Sequence, residues 1–255
     1  MGLMTGKRGI IFGVANELSI AWGIAQQLHA AGATLAFTYL NGALEKRVRP
    51  LAESVDADLI LPCDLAKDED IEAVYEEVGK KWGKIDFVVH AVAFANRDDL
   101  KNPFSQTSRA GFSLAMDISA YTLVAVTRGA LPLMTEGGSI ITLSYLGAVR
   151  AVPNYNVMGV AKAALEASTR YLAAEVGAKN IRVNAISAGP IKTLASSAVG
   201  QFKEKLRIMD EVAPLHRTVT QEEVGKSALY LLSDLASGVT GEVHYVDAGF
   251  NFVVG

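Results

Sequence analysis

"RGIIFGVANELSIAWG", residues 8–23, passes from one hydrophobic period to another across a single turn. Ile10 to Phe12 form a short, continuous apolar run, the pattern of a strand covered on both faces. After Gly13 the chain turns polar at Asn16 and Glu17, and from Ser19 apolar residues recur every three or four positions until Gly32. That is an amphipathic helix with a glycine stop, and Ser19 is placed to cap its start. Strand, glycine turn and helix together make the first half of a βαβ crossover. The helix amino terminus then faces the carboxyl edge of the sheet.

Six further runs repeat the strand signal: "TLAFTYL" from Thr34, "LILPCDL" from Leu59, "FVVHAVA" from Phe87, "SIITLSY" from Ser139, "RVNAISA" from Arg182 and "EVHYVDA" from Glu242. Helical stretches such as "DEDIEAVYEEVGKKWG", closed by Gly83, lie between them. The alternation predicts a single doubly wound Rossmann-type α/β domain over residues 1–255, with a seven-stranded parallel sheet and helices on both faces. The sequence shows no repeat, linker or low-complexity tract.

Composition narrows the function. Half of the 255 residues are hydrophobic, 20% are charged and the net charge is -3, so nothing in the charge balance invites nucleic acid. A lone cysteine, Cys63, and the lack of a leader pattern predict a reducing cytoplasm. No uncharged apolar run approaches the ~20 residues of a membrane-spanning helix, and no membrane insertion is expected. The four histidines are scattered and form no metal-binding pattern.

In a doubly wound sheet, ligands bind beyond the carboxyl strand ends where the strand order reverses. The turn after the first strand therefore suits a pyrophosphate, held by helix amides with Gly13 allowing close approach. A glycine turn before an ordinary packed helix is the alternative reading of these residues. At the third strand end, Asp64 serves as an acceptor for an adenine amino group or as a helix cap before "AKDED". The second strand end offers no arginine beside Tyr39 and Leu40, and Lys46 and Arg47 fall inside a predicted helix, which favours NADH over NADPH.

The candidate reacting groups lie in "SYLGAVRAVPNYNVMGVAK", residues 144–162. Pro153 imposes an extended Val152, Asn154 is placed to cap, and a helix is predicted from Tyr155. Seven helical residues bring Tyr155 and Lys162 to one face, about 10 Å apart along the axis. Helical side chains lean toward the amino terminus, so Lys162 leans toward Tyr155 with room between for a ribose. A core tyrosine and a solvated lysine would leave the same pattern. The position four before Lys162 is Met158, where carbonyl-reducing short-chain dehydrogenases carry their tyrosine.

This stretch, its continuation "AALEASTRYLAAEVG" and "IRVNAISAGPIKTLA" closely resemble the NADH-dependent bacterial enoyl-acyl-carrier-protein reductases, relatives of the short-chain dehydrogenases. The resemblance runs from "GKRGIIFGVANELSIAWGIA" to "GEVHYVDAGF". It implies that Gly13, Ser19 and Ile20 hold the pyrophosphate, Leu40 borders the adenosine ribose, Asp64 and Leu65 the adenine, and Val92 the nicotinamide ribose. Ile191, Lys192, Thr193, Leu194 and Ala195 would meet the nicotinamide amide and pyrophosphate. Tyr145 and Tyr155 match the two active-site tyrosines, Lys162 the cofactor lysine, and Ala95, Met158 and Phe202 join the tyrosines around the acyl chain. Where the family commonly has "HSIGFAP" this chain has "HAVAFAN", so Ala91 replaces a serine, Ala93 a glycine and Asn96 a proline. The implied substrate is a trans-2-enoyl chain on acyl carrier protein, and the implied assembly a homotetramer. Small residues from Leu194 to Gly200 predict a segment, 194–209, that closes over ligand, with Lys203, Lys205 and Arg207 available to an acidic carrier. A ketoreductase of the same fold and a nucleotide sensor without turnover are the rival readings; Met158 opposes the first, and retention of Tyr155 with Lys162 the second.

Overall fold

Short apolar runs become strands here because both faces of the sheet are covered. The computed structural model describes residues 2–193 and 202–253, the side chains of 202–205 excepted. Its strands are β1 (Arg8–Phe12), β2 (Thr34–Tyr39), β3 (Leu59–Pro62), β4 (Phe87–His90), β5 (Gly138–Ser144), β6 (Ile181–Ala188) and β7 (Val243–Val246). All pair in parallel, in the order β3-β2-β1-β4-β5-β6-β7. The order reverses between β1 and β4, which puts the crevice at the ends of those two strands.

Successive strand residues serve opposite faces. Ile10, Phe12, Val88 and Ile140 enter a core with α3 (Asp68–Trp82), α6 (Thr122–Ala130) and α7 (Asn156–Val176). Ile11, Val89 and Ile141 enter a second core with α1 (Ile20–Ala30), α2 (Gly42–Glu53) and α9 (Gln221–Leu232). Full burial of side chains such as Phe12 and Phe37 contributes about 1.5–3 kcal/mol each.

All strands but β6 stop short of the apolar run that predicts them. The overhanging residues, among them Gly13, Leu40, Asp64, Leu65, Val92 and Tyr145, leave the ladder at its carboxyl edge. Shorter helices, α4 (Arg97–Lys101) and α5 (Arg109–Met116), follow β4, and α8 (Phe202–Val212) precedes α9. A π-helical turn, Asp117–Tyr121, joins α5 to α6. The resulting 22-residue helix is long and apolar enough to cross a membrane by length and composition, although half of its apolar window is buried, with Leu123 and Val126 inside the first core.

Candidate functional site

At the nucleotide end, Gly13 adopts φ +103°, and a Cβ there would lie 2.2 Å from the Ala91 carbonyl oxygen. The close approach it permits is thus between the ends of β1 and β4. Ser19 occupies the cap position of α1, yet its hydroxyl does not cap the helix. It turns back instead, accepting from the Ala15 amide at 3.0 Å and the Asn16 amide at 3.1 Å, and so closes the turn. The amides of Trp22 and Gly23 donate back to the Ser19 carbonyl, at 2.9 and 3.3 Å, and those of Ile20 and Ala21 precede the first helical bond at the crevice end of α1. A glycine cradle beside those amides fits a pyrophosphate.

Asp64 is not the cap of α3, which begins after Lys67. One carboxylate oxygen accepts from the Ala66 amide at 3.1 Å, an Asx turn that holds Asp64 at the edge beside the buried Leu65. Leu40 is 52% exposed just past β2, and α2 does contain Lys46 and Arg47. Val92 and Ile191 are half-buried, Lys192 is exposed, and Thr193 is half-buried. Leu194, Ala195 and the rest of 194–201 lie outside the described residues, as do the side chains of Phe202, Lys203 and Lys205. Arg207 is described and pairs with Glu211 on its own helix at 2.7 Å.

At the reacting end the tyrosines meet. Tyr145, after β5, and Tyr155, before α7, pack edge to face with ring centroids 4.7 Å apart. Tyr155 itself takes the cap position and Asn156 opens the helix, so Asn154 is not the cap. Asn154 and Asn156 instead take positive φ, +60° and +37°, a region asparagine tolerates better than most residues. Two glycines make the tyrosine packing possible. A Cβ on Gly147 would lie 2.4 Å from the Tyr155 ring, and one on Gly159 would lie 2.8 Å from the Gly147 carbonyl oxygen. Tyr155, Ala95 and Met158 gather in a small apolar cluster with Leu100, Ala115, Val157 and Ala161. Burial holds both tyrosine hydroxyls protonated, raising their pKa values, and the neighbouring Tyr145 adds to the effect on Tyr155.

Lys162 is buried and its ammonium donates to the Leu143 carbonyl at 2.6 Å. Desolvation lowers its pKa to about 8, against the opposing pull of Glu166. Under it lies His90, wholly buried, between Thr142 and Thr122. The Thr122 hydroxyl donates to the Ile118 carbonyl at 2.7 Å, so His90 Nε2–H donates to Thr122 and Nδ1 accepts from Thr142. Burial and then the Lys162 charge lower the His90 pKa to about 3. A neutral imidazole thereby ties β4 and β5 to the first residue of α6.

Residues 13–251 match the enoyl-(acyl carrier protein) reductase family. The chain belongs to that family. It is 62% identical to the NADH enoyl-acyl-carrier-protein reductase of Nostoc sp. over 253 residues, covering 98% of each chain. Identity to the Bacillus cereus NADH enzyme is 56%, over 99% of this chain and 100% of that one. The crystal structure of the Bacillus cereus protein with NADP+ and indole naphthyridinone superposes with a TM-score of 0.98 over the whole of both chains. The NAD complex of the Anaplasma phagocytophilum enzyme gives 0.96 at 51% identity, over 99% of this chain and 96% of that one.

Several residues that shape this family site went unmarked by sequence reasoning. Glu166 accepts from the Ser144 hydroxyl at 2.5 Å, and its place one turn after Lys162 was a readable signal. Gly147 and Gly159 were visible as glycines in the motif, but not as neighbours. Gln221 donates to the Ser19 carbonyl at 2.6 Å from over 200 residues away, and no local pattern marks it. Among the described residues, no three His, Cys, Asp or Glu groups are placed to hold a metal.

Proposed function

We propose that Tyr155 and Lys162 form the reacting pair of an NADH-dependent enoyl-acyl-carrier-protein reductase. The family's activity is the reduction of trans-2-enoyl thioesters in fatty-acid elongation, and relatives at 62% and 56% identity are named as NADH enzymes. The observation that carries the reading is the cluster of half-buried Tyr145 and Tyr155 with buried Lys162, built on the end of β5 and the first two turns of α7, beside the β1 to β4 crevice. Gly13, Ser19, Ile20 and the edge residues Leu40, Asp64, Leu65 and Val92 would hold the dinucleotide, with Ile191, Lys192, Thr193, Leu194 and Ala195 closing over it.

Bound NADH supplies a hydride to the β-carbon of the enoyl chain. Negative charge then gathers on the thioester oxygen, and Tyr155, held protonated by burial, is the donor that meets it. Lys162 orients the ribose and adds a positive charge nearby. Tyr145 orients the thioester against the Tyr155 ring, while Ala95, Met158 and Phe202 line the acyl path. A methyl at Ala93 in place of the family's glycine narrows that path.

The same reading takes 1–255 as one domain in the cytoplasm, with segment 194–209 closing over ligand and acyl carrier protein delivering the substrate. A homotetramer is supported by the outward face of α7. Val160, Ala163, Ala167 and Tyr171 recur there at helical spacing, and Tyr171 is 82% exposed. The test is NADH oxidation, followed by the absorbance of the reduced nicotinamide, with crotonyl and acetoacetyl thioesters side by side. Turnover of the first alone is expected; turnover of acetoacetyl thioester alone would replace the reading with carbonyl reduction, and turnover of neither with a nucleotide sensor.

A further inference from the structure

Helix α7 grips β5 twice in succession. Lys162 donates to the carbonyl of Leu143, and Glu166, one turn later, accepts from the hydroxyl of Ser144. The next residue is Tyr145, whose ring packs on Tyr155. Both gripping side chains are 5% exposed. We infer that Glu166 is a positioning residue for the reaction: through Ser144 it fixes the strand end that carries Tyr145, and across one helical turn it supplies the negative charge facing Lys162. The inference rests on the assignment of Tyr155 and Lys162 made above.

A helix that only had to pack on this sheet would place an apolar residue here, as α7 does at Ala161 and Leu165. A buried carboxyl group is costly unless its bonds compensate, and the Ser144 hydroxyl alone needs no more than a neutral acceptor. The charge of Glu166 has a second use, because burial works against the Lys162 ammonium and Glu166 opposes that effect. The other titratable groups around the pair do not replace it. His90 from β4 is neutral, Tyr245 from β7 has its hydroxyl pKa raised by burial and by Glu166 itself, and Arg170 lies further along α7, drawing on the same carboxylate. Glu166 thus stands between two cations, one of which faces the cofactor site.

Three substitutions separate the two roles. Glu166→Gln keeps size and an oxygen acceptor but removes the charge, Ser144→Ala removes the hydroxyl and leaves the charge, and Glu166→Asp keeps the charge on a shorter stem. NADH affinity is measured by fluorescence titration from pH 6 to about 10, and thioester KM and kcat at pH 7. For Glu166→Gln, affinity is expected to fall about one pH unit earlier than in the parent, leaving it about fivefold weaker at pH 8, with thioester KM within twofold. Ser144→Ala and Glu166→Asp should leave the affinity profile in place and raise thioester KM about tenfold through Tyr145. In a Lys162→Ala background, Glu166→Gln should change NADH affinity no further. Superposable affinity profiles for parent and Glu166→Gln, or the same loss with and without Lys162, overturn the inference; should Glu166→Gln not fold, an unchanged thioester KM in both other variants does so. A Lys162→Ala protein with native affinity and rate would instead defeat the underlying assignment of the reacting pair.

Discussion

Gly147→Ala tests whether the Tyr155 ring is held where it must act. Gly147 has no positive φ, so alanine suits its backbone, and the whole effect comes from the added methyl. That methyl would start 2.4 Å from the Tyr155 Cδ1, whereas ordinary van der Waals contact begins at 3.4 Å. Either the ring or the turn must therefore move by about 1 Å, and a misplacement of that size in a reacting group costs on the order of 100-fold in rate. Folding should suffer less, since overpacking a partly exposed turn costs about 1–3 kcal/mol. The assay is steady-state NADH oxidation with a crotonyl thioester, beside thermal melts followed by circular dichroism. Gly159→Ala provides a graded comparison, because its methyl would meet the Gly147 carbonyl oxygen at 2.8 Å and needs a smaller displacement. The expected order of activity is parent, Gly159→Ala, then Gly147→Ala, with all three folded. A Gly147→Ala enzyme that turns over within twofold of the parent would refute the reasoning, as would a larger loss in Gly159→Ala.

Further measurements test the chemistry. Tyr155→Phe keeps the ring and removes the donor, so kcat should fall about 100-fold or more with NADH affinity unchanged, while Tyr145→Phe should act mainly on thioester KM; the reverse ranking in steady-state kinetics would exchange their roles. Lys162 has a folded pKa of about 8 against an ordinary value of 10.5, so its buried charge costs stability below pH 8 and the cost fades as pH rises toward 10.5. Lys162→Met should consequently melt above the parent at pH 7, by up to about 3 kcal/mol, with the gap closing in alkali and NADH binding weakened; calorimetry across that range decides it. Cys63 is buried and its thiol is pushed up to about 12, so a disulfide reagent at pH 8 should label the chain only after denaturation.

Hydrophobic period makes the sheet legible in the sequence, because both faces are covered and the strands read as unbroken apolar runs. Strand order was beyond that signal. Ile10 and Ile11 look alike in sequence, and only three-dimensional packing sends one to each core. At the site, the Tyr155 to Lys162 spacing was readable because seven residues return a helix to one face. Capping was misread twice for one reason. Ser19 and Asn154 have the right chemistry, but each serves the loop instead, Ser19 by accepting two loop amides and Asn154 by taking a positive φ. His90 offered a polar interruption in "FVVHAVA", yet its two threonine partners come from distant elements, 32 and 52 residues on.

The overhang of apolar sequence past each ladder carries information of its own. A run that predicts seven strand residues but forms four, as "FVVHAVA" does, leaves three that still need cover and have lost their strand neighbours. Val92 packs against the first core and Ala91 against the second, so the overhang is pinned on both sides of the crevice. Phe94 is then tied to the π turn, its amide donating to Ser119 Oγ and its carbonyl accepting from the same hydroxyl, at 2.9 and 3.0 Å. Chain that leaves the sheet yet stays anchored gives a wall that can face a ligand without sheet geometry. The gap between predicted run and formed strand is three residues at β3, β4 and β7, two at β1 and absent at β6, whose eight residues pair to the end, and at β1, β3 and β4 it supplies Gly13, Asp64 and Val92 to the candidate site.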